Sequence, residues 1–287
     1  MEPSSPYSDL NVDPKSVVHF GEEWTAFRQD RGWTPKRLRQ DFDAYFSPLP
    51  EGVLTPTAVA ADYGAGSGRW AAFVAPRVRH LYVVEPSHPA MQVAKQHLSM
   101  QQNVTYLEEP IGGSLVPDET LDLAYSIGVL HCVPNPAAAM EALRKKLKPG
   151  GYLLVYLYYA LENRPGWYRA VWAATNVLRR RISRLHPSAK RAATSTIAVA
   201  VYWPLARAAL ILARFGVPVR HLPLSFYATK SLYAMRNDAL DRFGTPLERR
   251  YTRSDITAMV SEAGYDVKSL RFSDSEPYWC FSVANHA

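Results

Sequence analysis

A glycine-rich turn between an apolar segment and a helix-like segment constrains the fold of this chain more than any other stretch. The turn occupies residues 61–70 and places Gly64, Gly66 and Gly68 at alternate positions. Glycines at such a turn let the backbone adopt positive φ and approach a ligand closely, because they carry no Cβ. We therefore predict the first strand-to-helix turn of an α/β domain, with its helix over residues 69–77, and a nucleotide-like cofactor bound at the turn.

The charged residues around the turn narrow the choice of cofactor. A dinucleotide-binding turn has its third glycine where this chain has Arg69. Asp62, at the end of the first strand, would repel a pyrophosphate but can bind a cationic amine. The apolar segment 81–84 ends in Glu85, at the distance where a carboxylate that binds ribose hydroxyls is expected. Together these residues favour S-adenosylmethionine over NAD.

Four segments in a fixed order resemble the class I S-adenosylmethionine-dependent methyltransferases. They are the glycine-rich turn, the acid Glu85, residues 121–131 of the fourth strand, and the turn Leu147-Lys148-Pro149-Gly150-Gly151 into the fifth strand. The resemblance covers about residues 57–157 and resumes near Thr252. It implies an α/β fold with a doubly wound, seven-stranded, mostly parallel sheet of the Rossmann-like methyltransferase type. It also implies S-adenosylmethionine as the cofactor and methyl transfer as the reaction.

The resemblance assigns cofactor binding to residues at the ends of the strands. After the third strand the family carries an acidic residue that contacts the adenine, and here Glu109 or its neighbour Glu108 takes that place. The expected cofactor-binding residues are Asp62, Gly64, Gly66, Gly68, Glu85, Glu109 and Ser126.

The pattern of strands and helices predicts four parts. Two helix-like segments, 17–28 and 35–45, form either a lid over the cofactor edge or an ordinary outer layer of the domain. Strands and helices then alternate, as in a parallel sheet. A helical insertion that caps the strands follows strand five, and Thr252 begins a capped helix before two final strands. The predicted parts are the N-terminal helical lid (1–56), the cofactor-binding core (57–164), the helical cap (165–245) and the C-terminal helix with the last two strands (246–287).

Candidate catalytic residues follow the fourth and fifth strands. Methyl transfer from a sulfonium is an in-line displacement, so the enzyme must align the reacting atoms and exclude water. His131 is either a general base or a residue that orients a loop beside the cofactor. Tyr158 and Tyr159 either orient the substrate and line the sulfonium, or seat the cap on the sheet.

Candidate substrate-binding residues lie after strand five and late in the cap. Arg164 either clamps a carboxylate or phosphate of the substrate or caps a turn. Tyr227, Tyr233 and Asn237 recur near helical spacing and suit a hydroxylated substrate, with a solvated helix surface as the alternative. Residues 249–251, Arg-Arg-Tyr, are open to the same two interpretations.

The basic charge of the chain, +7 at neutral pH, raises the question of its partners. A basic cluster at residues 179–191 precedes the apolar stretch 197–215, which Pro204, Arg207 and Arg214 interrupt. The interruption argues against a membrane-spanning helix, so we expect a buried cap helix, with peripheral contact to anionic lipid as the alternative. The fourth strand lacks the Asp/Asn-Pro-Pro-aromatic run of enzymes that methylate base amino groups, so we expect no nucleic acid partner.

The two cysteines, Cys132 and Cys280, form neither a metal-binding nor a disulfide pattern. We therefore expect no metal and a cytoplasmic location. The prediction for function is methyl transfer from S-adenosylmethionine to a small metabolite or sugar-containing acceptor, at oxygen. The alternatives are aminoalkyl transfer or internal cyclisation with the same cofactor, and a non-catalytic module that binds the cofactor or a lipid surface.

Overall fold

The computed structural model describes residues 11–26, 34–162, 164–219, 222, 224–273 and 278–286. It divides into two compact units. The first unit comprises residues 1–25, 35–162 and 247–287, and the second comprises residues 26–34 and 163–246. The helices, in chain order, are α1 (Pro14–Ala26), α2 (Pro35–Phe46), α3 (Ala71–Val74), α4 (His88–His97), α5 (Pro136–Lys146), α6 (Gly166–Ile182), α7 (Pro187–Ile197), α8 (Trp203–Arg214), α9 (Leu232–Gly244) and α10 (Arg253–Glu262).

Seven strands of the described residues form one sheet in the first unit, as predicted. Its order is β3-β2-β1-β4-β5-β7-β6. The first five strands are parallel, whereas β7 pairs antiparallel with both β5 and β6. The order reverses between β1 and β4, and ligands of open α/β sheets bind at the strand ends beside such a point. The strands are β1 (Val59–Tyr63), β2 (His80–Val84), β3 (Val104–Leu107), β4 (Leu121–Ile127), β5 (Leu147–Tyr158), β6 (Arg271–Phe272) and β7 (Tyr278–Ala284).

Two predicted elements are shorter in the structure. The helix expected over residues 69–77 is α3, followed by a 3₁₀ turn at Ala75–Arg77, because Pro76 cannot donate an α-helical hydrogen bond. The strand expected over 265–272 is reduced to β6 after a second 3₁₀ turn. Thr252 caps α10 as predicted: its side chain accepts from the Asp255 N–H, and the Asp255 carboxylate accepts from the Thr252 N–H. Of the loop expected at 273–277, residues 274–277 lie outside the described residues.

The core of the first unit holds β1 and its neighbours rigidly in place. All five residues of β1 are buried, since the strand lies at the centre of the sheet. The second helix adds two stacked rings to this core, Phe42 and Phe46, with centroids 4.2 Å apart. For α2 the structure therefore supports the outer-layer interpretation.

The second unit is helical and has a core of its own, which includes Tyr202, Met235 and Phe243. A π-helical segment, Ala198–Tyr202, joins α7 to α8, so residues 187–214 form one continuous helix. Pro204 does not break this helix, because it lies in the first turn of α8 directly after the π-helical segment. The position of this unit as a cap over the strands stays a prediction.

This continuous helix also contradicts the expected buried cap helix. Its most apolar window is only 22% buried. Within the described part of the chain it is the one helix long and apolar enough to cross a membrane, by length and composition alone.

Candidate functional site

The glycine-rich loop after β1 has the conformation that its sequence requires. Gly64, Gly66 and Gly68 have φ of +76°, +55° and +72°. A Cβ on Gly64 would lie 2.6 Å from Val129, one on Gly66 would lie 2.7 Å from Nε1 of Trp24, and one on Gly68 would lie 3.1 Å from Leu98. Gly64 and Gly66 therefore exclude a side chain by space as well as by backbone conformation, whereas Gly68 excludes one mainly by its backbone conformation.

Glu85, directly after β2, ties the loop to the neighbouring strand. Its Oε2 accepts from the Gly66 N–H and its Oε1 from the Ser87 N–H, both at 2.9 Å. Each carboxylate oxygen accepts one of these hydrogen bonds and keeps a further lone pair. This carboxylate can therefore hold the loop and bind a pair of ribose hydroxyls at the same time.

Asp62 lies buried at the end of β1 and has a strongly perturbed acidity. The pKa of this carboxyl is raised from 3.8 to about 8, mainly by burial. Hydrogen bonds from the Tyr125 hydroxyl and the Ala71 N–H lower this pKa, and the Glu85 charge raises it. Burial also raises the pKa of Glu85 to about 7. Oδ2 of Asp62 is buried without a hydrogen-bond partner among the described residues. A cationic amine would satisfy that oxygen, so the two acids fit the amino-acid and ribose parts of S-adenosylmethionine.

The structure distinguishes the two glutamates after β3. Glu108 is at the surface, where His88 Nδ1 and Lys95 Nζ lie 2.7 Å and 3.2 Å from its carboxylate. Glu109 is buried, and its Oε2 accepts from the Leu115 N–H at 3.2 Å. Of the two, Glu109 is the acid available on the inside of the domain. Its contact with adenine stays a prediction.

Ser126 has a different partner from the one expected. Its side chain is fully buried, and its hydroxyl donates to the Tyr63 carbonyl at 2.9 Å, which links β4 to β1. The next residues, Ile127, Gly128 and Val129, line the cavity at the glycine-rich loop instead. We therefore correct the expected role of Ser126 to a link within the sheet.

Helix α1 covers this cavity. Ser16, Val17, Phe20 and Trp24 line it from one side, and residues of the glycine-rich loop, Glu85 and the segment after β4 line it from the other. The chain just before α1 is attached to the start of α5, because Asn11 and the backbone of Asn135 exchange two hydrogen bonds of 2.6 and 2.7 Å. For α1 the structure therefore supports the lid interpretation.

Aromatic rings form a row at the end of β5. His131 stacks on Tyr158 with centroids 3.9 Å apart, Tyr156 lies 6.0 Å from Tyr158, and Tyr45 of α2 lies 5.2 Å from Tyr156. We call these four residues the aromatic row. The guanidinium carbon of Arg250 lies 5.0 Å from the Tyr158 ring centroid. Tyr45 was not singled out from the sequence, because it is distant along the chain from the rings it meets. Arg250 belongs to the segment 249–251, which the sequence offered for the substrate and not for these rings.

His131 is buried in this row and therefore uncharged. Burial, followed by the charge of Arg250, lowers the pKa of the imidazole to about 3. Its Nδ1 is buried and has no hydrogen-bond partner in the described part of the chain. A neutral ring can accept or donate a hydrogen bond near neutral pH, but this histidine is a weak base.

Tyr159 does not belong to the aromatic row. Successive side chains of a strand point to opposite faces, so Tyr158 and Tyr159 diverge. Tyr159 is 3% exposed and meets Trp279 edge-on, with centroids 6.0 Å apart. Its predicted catalytic role is therefore replaced by packing in the interior.

Residues 249–251 are placed against the site. The Arg249 N–H donates to the His131 carbonyl at 3.0 Å, and the Tyr251 N–H donates to the Tyr158 carbonyl at 2.9 Å. Glu248 is paired with Arg250, with Oε1 3.0 Å from Nη2. Arg249 is exposed, whereas Arg250 and Tyr251 are half-buried. The backbone of this segment thus supports both His131 and Tyr158, and its contact with a substrate stays a prediction.

The candidate substrate residues belong to the second unit. The Arg164 guanidinium lies 5.5 Å from the Tyr168 ring centroid. Tyr227 packs on Tyr202, with centroids 5.3 Å apart, and Asn237 is buried. Tyr233 is half-buried on α9. The solvated helix surface is contradicted for Asn237, whereas contact of these residues with a substrate stays a prediction.

Comparison with known proteins identifies relatives of the first unit. Residues 61–155 match the family model described as "Methyltransferase domain". The chain is 33% identical over 95 residues to a ubiquinone biosynthesis O-methyltransferase of Alkalilimnicola ehrlichii, covering 32% of this chain and 38% of that protein. It is 27% identical to the enzyme of the same name from Acinetobacter baylyi, covering 60% of this chain and 73% of that one. The chain thus spans less than half the length of the first of these relatives.

A solved structure supports the fold alone. A crystal structure of a putative methyltransferase from Bacillus halodurans superposes with a TM-score of 0.51 at 13% identity, covering 86% of this chain and all of that one. This likeness agrees with the α/β fold described above.

Proposed function

We propose that the chain is a class I S-adenosylmethionine-dependent methyltransferase that uses the methyltransferase domain at residues 61–155 to transfer a methyl group to an oxygen atom of a small-molecule acceptor. The observation that carries the proposal is the cradle formed by Asp62, Gly66 and Glu85. It combines a loop without side chains, a buried acid that lacks a partner for one oxygen, and a second acid that retains free lone pairs.

The cofactor of this family, S-adenosylmethionine, supplies an electrophilic methyl group when bound. In this chain Asp62 would hold its amine and Glu85 its ribose, and Glu109 is the candidate for its adenine. Trp24 and Phe20 on α1 would exclude water from the cavity that these residues share. The chain therefore contributes mainly by orienting the reactants, which is worth on the order of 7–11 kcal/mol in well-aligned systems.

Two features support oxygen as the acceptor atom. The curated relatives named above are O-methyltransferases. In addition, the aromatic row ends at a neutral histidine, with a guanidinium beside its neighbour Tyr158. His131 can accept the proton of an acceptor hydroxyl as the methyl group is transferred to the oxygen, and passes it on to solvent, because a pKa of about 3 returns the ring to its neutral form.

Identification of the released co-product tests the proposal. The chain is expected to bind S-adenosylmethionine and S-adenosylhomocysteine with micromolar affinity by calorimetry. With hydroxylated small molecules as acceptors, mass spectrometry should then detect S-adenosylhomocysteine. Release of methylthioadenosine would instead indicate aminoalkyl transfer or cyclisation. Failure to bind either compound would exclude methyl transfer as well as aminoalkyl transfer and cyclisation. It would leave a non-catalytic module that binds a lipid surface.

Replacement of His131 by alanine is expected to lower turnover about tenfold to a hundredfold. This loss is small compared with that of most general bases, because this histidine is a weak base. Affinity for S-adenosylmethionine should stay within about twofold, since the cradle residues are untouched. Because the pKa of His131 is about 3, wild-type turnover should show no loss at the ordinary histidine pKa of 6.5. The measurement is turnover against pH with the affinity determined in parallel.

The matched control is His88→Ala, since His88 is exposed at the surface beside Glu108. It should behave like the wild type. An equal loss of turnover and cofactor affinity in His131→Ala would contradict a role toward the acceptor and assign the residue to packing.

A further inference from the structure

The second unit differs in charge from the rest of the chain. Residues 163–246 contain 14 of the 33 lysines and arginines but only two of the 26 acids, Asp238 and Asp241. This segment therefore carries a net charge of +12 and the remainder −5. A large positive field confined to one unit indicates an anionic partner for that unit.

The second unit also contains most of the large hydrophobic side chains that the described residues expose to solvent. Of 19 that are exposed among the described residues, 15 lie in the second unit. The continuous helix buries a narrow row of residues and leaves the rest of its circumference to solvent. We call its exposed side the apolar face: Val199, Val201, Trp203, Leu205, Ile211 and Leu212, extended by Phe215 just after α8.

The apolar face has no charge of its own. The sole charged residue within 199–213 is Arg207, and its guanidinium donates to the Ala228 and Lys230 carbonyls at 2.9 Å, away from the face. Exposed arginines lie instead near its ends and on α6: Arg180, Arg181, Arg184, Arg191 and Arg214. Apolar and tryptophan side chains flanked by basic residues are typical of helices that lie in a membrane interface.

We propose that the second unit docks on the surface of an anionic lipid bilayer, with the apolar face in the interface and the exposed arginines at the lipid headgroups. A second copy of the chain fits less well, because two units of net +12 would repel each other. A nucleic acid fits less well, because the exposed face is apolar and lacks cations. The helix stays on the surface because its buried row, which includes Ala198, Tyr202 and Ala206, packs in the core of the second unit.

Vesicle flotation of the full chain tests this proposal. The wild type is expected to float with vesicles of phosphatidylcholine mixed with phosphatidylglycerol, and much less with phosphatidylcholine alone. The variant Ile211→Ser/Leu212→Ser/Phe215→Ser should bind at least about tenfold more weakly, since it removes exposed apolar area. Arg180→Gln/Arg181→Gln/Arg184→Gln should lose the preference for anionic vesicles. All six positions are exposed, and circular dichroism should confirm that both variants are folded.

Matched controls come from the first unit. Met100→Ser removes an exposed apolar side chain and Lys145→Gln an exposed charge, and both variants should float like the wild type. A wild type that stays unbound with anionic vesicles overturns the proposal. So does a wild-type dimer in light scattering that the serine variant dissociates without any vesicle binding. Resistance of bound protein to alkaline carbonate would also overturn surface docking, in favour of a spanning helix.

Discussion

Replacement of Gly66 by valine is expected to abolish binding of S-adenosylmethionine, with a loss of at least about a hundredfold that calorimetry would record as no binding. Gly66 has φ of +55°, which a β-branched residue adopts only at a cost of about 1–2 kcal/mol. Its Cβ would also lie 2.7 Å from Nε1 and 2.8 Å from Cε2 of Trp24. Since the Gly66 N–H donates to Glu85, displacement of the loop also disturbs the acid expected to hold the ribose.

Two further variants separate the steric effect from backbone strain. Gly52 has φ of +86° but nothing within 4 Å of its Cβ position. Gly52→Val therefore introduces the unfavourable backbone conformation without a steric clash, and this variant should bind the cofactor normally. Adding Trp24→Ala to Gly66→Val removes the clashing ring and should restore measurable binding. If Gly66→Val bound as well as the wild type, the loop would not be the cofactor site.

Replacement of Asp62 by asparagine is expected to weaken binding of S-adenosylmethionine on the order of a hundredfold, because it removes the buried charge opposite the cationic amine. Affinity of the wild type should fall as the pH drops below about 8, where the carboxyl takes up a proton. The variant should lack this part of the pH dependence. Calorimetry at several pH values measures both effects.

The same substitution is expected to stabilise the cofactor-free protein. The pKa of Asp62 is raised from 3.8 to about 8 by burial, so the unfolded chain releases this proton more readily than the folded one. The folded state therefore loses stability as the pH rises from about 4 to about 8. Asparagine removes this loss, and the free energy of unfolding should rise on the order of 2 kcal/mol above pH 8, with little gain below pH 4.

The control for both effects is Asp43→Asn. Asp43 is an exposed acid that pairs with Arg39 on the surface of α2. The control should leave binding unchanged and alter stability by well under 1 kcal/mol. Lower stability of Asp62→Asn at high pH would contradict the raised pKa of this buried carboxyl.

The sequence alone determined the cofactor cradle and the sheet around it. A positive φ demands glycine, and a buried parallel strand demands a continuous apolar run, so both leave local patterns that can be read without the fold. For this reason the loop at Gly64–Gly68, the acids Asp62 and Glu85 and the seven strands were predictable. The matching family model, over residues 61–155, covers the loop and both acids.

Only the tertiary structure determined the partners of side chains that contact residues distant along the chain. The Ser126 hydroxyl donates a hydrogen bond to the Tyr63 carbonyl, which lies on another strand. Tyr159 packs against Trp279 and not beside Tyr158, because side chains alternate along a strand. Residues 249–251 lie beside His131 although more than a hundred positions separate them along the chain. The burial of the helix over 187–214 was misjudged for the same reason. Composition shows that a helix is apolar, but only the packing of its neighbours decides which of its faces are covered and which meet the solvent.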